Sequence, residues 1–126
     1  MITVWTERRL QRLFKRYNKR FWQGGLDNWT VDTDESHCEG LYGHCDGKGR
    51  TIHVRVSAHT SDRSVRATLV HEMAHAATNG DHGTQWRREI ERLKAAGAPT
   101  ESLAARGKNR SNKDPSAGVS LPAQVQ

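Results

Sequence analysis

His71, Glu72 and His75 fall in the pattern H-E-x-x-H within His71-Glu72-Met73-Ala74-His75. On a helix, side chains four positions apart lie on one face, so both imidazoles can grip a single metal ion. The carboxylate beside the first histidine then reaches a water activated at that metal. These groups are the minimum for metal-assisted hydrolysis of an amide. So short a pattern also arises by accident, and the elements that carry it must make the case.

Ser61 or Asp62 opens a helix predicted to run to about Thr78. At about 100° per residue, His75 falls about 40° from His71 and Glu72 about 100° from it. Val65, Leu69, Val70, Met73, Ala76 and Ala77 occupy the opposite arc, with Arg66 as the charged residue among them. One side of this helix therefore asks for a core and the other presents His, His and Glu. Asn79-Gly80 ends it, with Gly80 suited to the left-handed position after the last turn.

A catalytic zinc typically takes three protein ligands and leaves one position open. His82 is the leading candidate for the third ligand, because it follows a glycine that lets the chain turn back. Asp81, Glu89 and Glu91 are the alternatives, although both glutamates stand among arginines. The metzincin pattern H-E-x-x-H-x-x-G-x-x-H does not fit, since His82 comes one residue late.

The other elements must position this helix. Leu10, Leu13, Phe14, Tyr17, Phe21 and Trp22 recur at helical spacing after a capping Thr6 and before Gly24-Gly25. The opposite face holds Arg8, Arg9, Arg12, Lys15, Arg16, Lys19 and Arg20 against Glu7 alone, an excess of six that equals the chain's net charge of +6. Trp29 to Asp34 alternates as a strand. Leu41-Tyr42 between Gly40 and Gly43 reads as a second. Thr51 to Val56 reads as a third, with Ile52, Val54 and Val56 inward and His53 and Arg55 outward. Asp46-Gly47-Lys48-Gly49 is a turn. A last helix is predicted from Thr84 to Ala96, with Trp86, Ile90 and Leu93 as its apolar stripe and Gly97-Ala98-Pro99 as its stop. The expected class is α+β, with a small, mostly antiparallel sheet packed on the histidine-bearing helix and flanked by the N- and C-terminal helices.

The chain's 126 residues allow one domain, expected over residues 1–104. Hydrophobic residues make up 34% and the mean hydropathy is −0.86, lean enough to imply a tail. Residues 105–126 carry that composition and are expected to be disordered, with Arg106, Lys108, Arg110 and Lys113 adding positive charge. A pI of about 9.8 favours acidic partners, nucleic acid first. Arg9, Arg12, Arg16, Lys19 and Arg20 are the candidate contacts to DNA phosphates, sequence-independent and salt-sensitive. The first ten residues do not read as a signal peptide, and no apolar run spans a membrane. A cytoplasmic monomer is the expectation. Cys38 and Cys45 make no disulfide scaffold, and the repeated His37-Cys38 and His44-Cys45 pairs have poor spacing for a second metal.

These residues resemble the SprT-like family of zinc metallopeptidases, which includes the Spartan proteases. The segment Tyr17-Asn18-Lys19-Arg20-Phe21-Trp22-Gln23-Gly24-Gly25-Leu26 resembles the end of the family's N-terminal helix. Gly40 and the strand at Ile52 to Val56 resemble the lead-in to its active-site helix. His71-Glu72-Met73-Ala74-His75-Ala76-Ala77, then His82-Gly83-Thr84-Gln85-Trp86, resembles its zinc signature. The likeness covers roughly residues 8–97. It implies a zincin-like fold, one catalytic zinc on His71, His75 and His82, and Glu72 as the catalytic residue. Family members often act on proteins bound or crosslinked to DNA. The loop between His75 and His82 is shorter than in many relatives, and no cysteine follows Cys45 to build the C-terminal zinc ribbon found in some of them.

The expected activity is therefore zinc-dependent endopeptidase cleavage of protein or peptide, DNA-associated proteins included. The competing readings are a non-catalytic or latent zinc-containing DNA-binding module and a hydrolase of non-peptide amides. Tyr42, His53 and Arg55 are candidate substrate or oxyanion contacts, and the edge of the Thr51–Val56 strand is a candidate for pairing with an extended substrate.

Overall fold

Helix α1, Glu7–Trp22, starts where the Thr6 hydroxyl accepts the Arg9 amide at 3.1 Å. A computed structural model describes residues 4–36, 42–78 and 82–100 of the chain. Leu10, Leu13, Phe14, Tyr17 and Phe21 are buried along one face of α1, as their spacing predicts. The helix ends with Gln23 in the left-handed region at φ 50°, followed by Gly24 at φ 80°. Asn18 explains why the chain turns there. Its buried carboxamide accepts the Leu26 amide at 2.9 Å and donates to the Asp27 carboxylate at 2.8 Å. The clamp sends Leu26 back into the core. Asn18→Ala strands a buried amide and should cost about 1–3 kcal/mol in denaturant unfolding; a midpoint like that of the wild type would contradict this role.

The sheet is built from β1, Thr30–Asp32, β2, Gly43–Asp46, and β3, Thr51–Val54, in the order β1-β3-β2. β2 and β3 form an antiparallel hairpin, whose turn is fixed by the Asp46 carboxylate accepting the Lys48 and Gly49 amides. β1 pairs with β3 in parallel, so the sheet is mixed rather than mostly antiparallel. Alternation reveals which face a side chain takes but not the direction of the neighbouring strand. β3 is also the central strand, so it offers no free edge for a substrate. It ends at Val54, and Val56 opens a single 3-10 turn, Val56–Ala58. The second strand begins at Gly43 instead of ending before it; Gly40 and Leu41 lie outside the described residues.

Helix α2, Asp62–Thr78, begins with Ser61, whose hydroxyl accepts the Ser64 amide at 3.1 Å. It is the central helix, packed on β2, β3 and α3. Every residue from Ala67 to His75 is buried, so α2 has no open side over that stretch, contrary to its two-faced pattern in the sequence. Arg66, the charged exception, is exposed immediately before that stretch. Helix α3, Thr84–Ala95, buries Trp86 and Leu93. It stops at Gly97, φ 92°, where the Ala98 amide reaches back to the Leu93 carbonyl at 2.9 Å and the Gly97 amide to Lys94 at 3.1 Å. That paired closure is the expected use of a glycine after a helix.

The expected tail at 105–126 lies outside the described residues. Among the described residues no helix is long and apolar enough to cross a membrane.

Candidate metal centre

His71 and His75 leave α2 one turn apart, and His82 stands just before Gly83, the N-cap of α3. The chain brings all three rings to one point. His82 Nε2 lies 3.0 Å from His71 Nε2 and 3.1 Å from His75 Nε2. These are the one group of three or more ligand-type side chains gathered within 4.8 Å among the described residues. A neutral imidazole offers one lone pair, and a shared proton satisfies only one pair of facing nitrogens. A cation at the convergence point satisfies all three, so the donor set fits a metal ion.

Glu72 sits on the rim of this group, its Oε2 4.0 Å from His71 Nε2. The residue is 4% exposed, so its side chain is held in place. Gly43 makes room for it. A Cβ at Gly43 would stand 2.8 Å from Thr68 Cγ2 and 3.2 Å from Glu72 Cγ. Glycine at that position lets β2 lie directly against the turn of α2 that carries Glu72.

Cys45 lies on the same sheet face as Gly43, while His44 points to the other face. The two cannot converge on one ion, and Cys38 lies outside the described residues. Burial, then the charges of Glu72 and Asp46, push the Cys45 thiol up to about 12. In Cys38→Ser protein, iodoacetamide at neutral pH should label Cys45 ~100-fold or more slowly than in the unfolded chain, since only thiolate reacts. Equal rates would contradict the buried environment.

The candidate substrate contacts each have a partner of their own. His53 pairs with His44 on the face turned away from α2, and it is buried, not outward. Its Nδ1 bonds to Asp32 Oδ1 at 2.7 Å, a neighbour that only the parallel pairing supplies. Arg55 pairs with Glu35 at 3.6 Å. The Tyr42 ring packs on His59, with centroids 5.4 Å apart.

His59 had no signal in the sequence. Its Nε2–H donates to the Tyr42 carbonyl at 3.3 Å, which leaves Nδ1 to accept from the Ser64 hydroxyl at 2.7 Å. Burial lowers its pKa and keeps it neutral. It ties the start of β2 to the first turn of α2.

Of the alternative third ligands, Glu89 is committed to Trp22 Nε1 at 2.6 Å and to both ends of the Arg92 guanidinium. Glu91 is exposed, and Asp81 lies outside the described residues. Of the candidate DNA contacts, Arg12, Arg16, Lys19 and Arg20 are exposed on α1. Arg9 differs: it stacks on Trp5 at 3.8 Å, donates to the Val4 carbonyl and approaches Asp62, so its charge is already engaged.

No curated protein and no solved structure matches the chain significantly. A family model does, over residues 10–107, a span that runs from the first buried leucine of α1 through the three converging histidines and past α3. With most of its length covered and the histidine group inside the match, the chain belongs to the SprT-like family.

Proposed function

We propose that this protein is a zinc-dependent metalloendopeptidase, with His71, His75 and His82 holding one zinc ion and Glu72 acting as its general acid–base. The convergence of three Nε2 atoms beside a buried carboxylate carries this reading. Zinc–imidazole bonds of about 2.0–2.1 Å put the nitrogens of a tetrahedral site roughly 3.3 Å apart. The observed 3.0 and 3.1 Å separations are close to that spacing. Structural zinc sites are normally closed by four ligands. Among the described residues no fourth side chain joins the three histidines, which favours a catalytic over a structural ion.

A zinc ion bound there supplies Lewis-acid polarisation of the scissile carbonyl and eases deprotonation of the attacking water. The chain's own contribution is positioning and proton transfer. Glu72 accepts the proton of the attacking water and delivers it to the departing amine. Its burial against Gly43 keeps the carboxylate on the histidine side. An extended substrate can add along β2, which has a sheet partner on one side only among the described residues. This edge replaces the β3 edge expected from the sequence, and Gly43 places it beside Glu72.

The exposed Arg12, Arg16, Lys19 and Arg20 support a second, separable property, salt-dependent association with DNA. A substrate panel tests the main reading: unfolded casein and small acyl amides, each with and without duplex DNA. Cleavage of casein internal bonds supports the endopeptidase. Turnover confined to acyl amides would replace it with a non-peptide amidase.

A further inference from the structure

We infer that Trp86 is a positioning residue for the metal centre, the wall that holds all three ligand imidazoles in their binding orientation. The inference rests on the reading of His71, His75 and His82 as metal ligands. α2 fixes the relative placement of His71 and His75 through its backbone. His82 is on no helix; it stands before Gly83 and depends on how α3 docks.

Trp86, in the first turn of α3, is the side chain at that joint. It is 8% exposed. Its ring meets His82 edge-on at 4.6 Å and 87°, lies nearly parallel to His75 at 5.5 Å and 23°, and meets His71 at 4.9 Å and 64°. Its Nε1–H points at the His71 carbonyl, with a long separation of 3.4 Å. One rigid indole thus touches every candidate ligand. An imidazole free to rotate must lose that freedom when it binds a metal; a ring already packed in place loses less. The same wall excludes water from the back of the group, which strengthens binding of a cation by lone pairs aimed at it. In the sequence Trp86 reads as a member of an apolar stripe and as the last residue of the stretch that resembles the family's zinc signature; neither reading gives it contact with all three imidazoles. Leu93, two turns on and fully buried, shares that stripe and provides the contrast.

The test is zinc affinity, measured by chelator competition on folded protein, for the wild type, Trp86→Leu, Trp86→Phe and Leu93→Ala. Trp86→Leu keeps an apolar side chain but removes the ring, and should weaken zinc binding about 10- to 100-fold, the range for residues that orient metal ligands. Trp86→Phe should recover most of that loss. Leu93→Ala should lower stability yet leave the affinity of the folded fraction unchanged. A second readout does not depend on affinity: saturating cobalt should quench wild-type tryptophan emission, and Trp86→Phe should remove most of the quenching although Trp5, Trp22 and Trp29 remain. Wild-type affinity in Trp86→Leu would overturn the inference. So would an equal loss in Leu93→Ala, or quenching of wild-type size in Trp86→Phe. A wild-type protein that binds no zinc at all would instead overturn the metal-centre reading beneath it.

Discussion

Glu72→Gln should lower the rate of casein cleavage by about 10²- to 10⁴-fold, the usual contribution of a general acid–base, while zinc stays bound. The substitution keeps the shape of the side chain and removes its ability to take a proton. Shape matters here, because Glu72 is buried with its Cγ facing Gly43. The ligand atoms gathered within 4.8 Å of one another are those of the three histidines, so their grip on the ion should survive. Initial rates with zinc content by mass spectrometry separate the outcomes. Wild-type turnover would remove Glu72 from the chemistry. Loss of both zinc and turnover would make it a ligand instead.

His82→Ala should have the largest effect on the metal itself. It leaves His71 and His75 as a pair on α2, and zinc affinity should fall at least ~100-fold, more than removal of an orienting residue costs. Cleavage should fall with it. The fold should persist, since His82 is only half-buried and α2, α3 and the sheet have their own core. The metal-dependent rise in melting temperature should therefore vanish, while the metal-free melting temperature stays close to that of the wild type. Unchanged zinc content would assign the third ligand to another residue. Glu89 is poorly placed for that role, held as it is by Trp22 and Arg92.

What could be read from the sequence was whatever local periodicity controls. The helical positions of His71 and His75, the apolar stripe of α1, the cap at Thr6 and the stop at Gly97 all follow from neighbours within about one turn. Pairing of strands does not. Alternation placed His53 opposite Ile52 and Val54 correctly, and still missed that His53 is buried, because Asp32 comes from a strand whose direction no local pattern encodes. Gly43 looked like a strand boundary. Its role is one of distance, the closeness of β2 to Thr68 and Glu72, which needs the third dimension. The same holds for α2, where a two-faced pattern belongs to a helix that is buried all round from Ala67 to His75.

Turn chemistry and ligand preference point to His82 in the sequence, and the structure brings its Nε2 to the other two. The candidate substrate contacts have no such local signal. Tyr42, His53 and Arg55 are occupied by His59, Asp32 and Glu35, partners that lie far from them in sequence. A side chain's availability depends on its neighbours in space, so it is the last property a linear reading recovers.

The most direct test strips the purified chain of metal with a chelator and adds back zinc one equivalent at a time while casein cleavage is followed. The metal-free protein should be inactive, and activity should rise to a plateau at one zinc per chain. Cleavage that persists without metal, or a chain that takes up its zinc and cleaves nothing, would contradict a catalytic zinc centre on His71, His75 and His82.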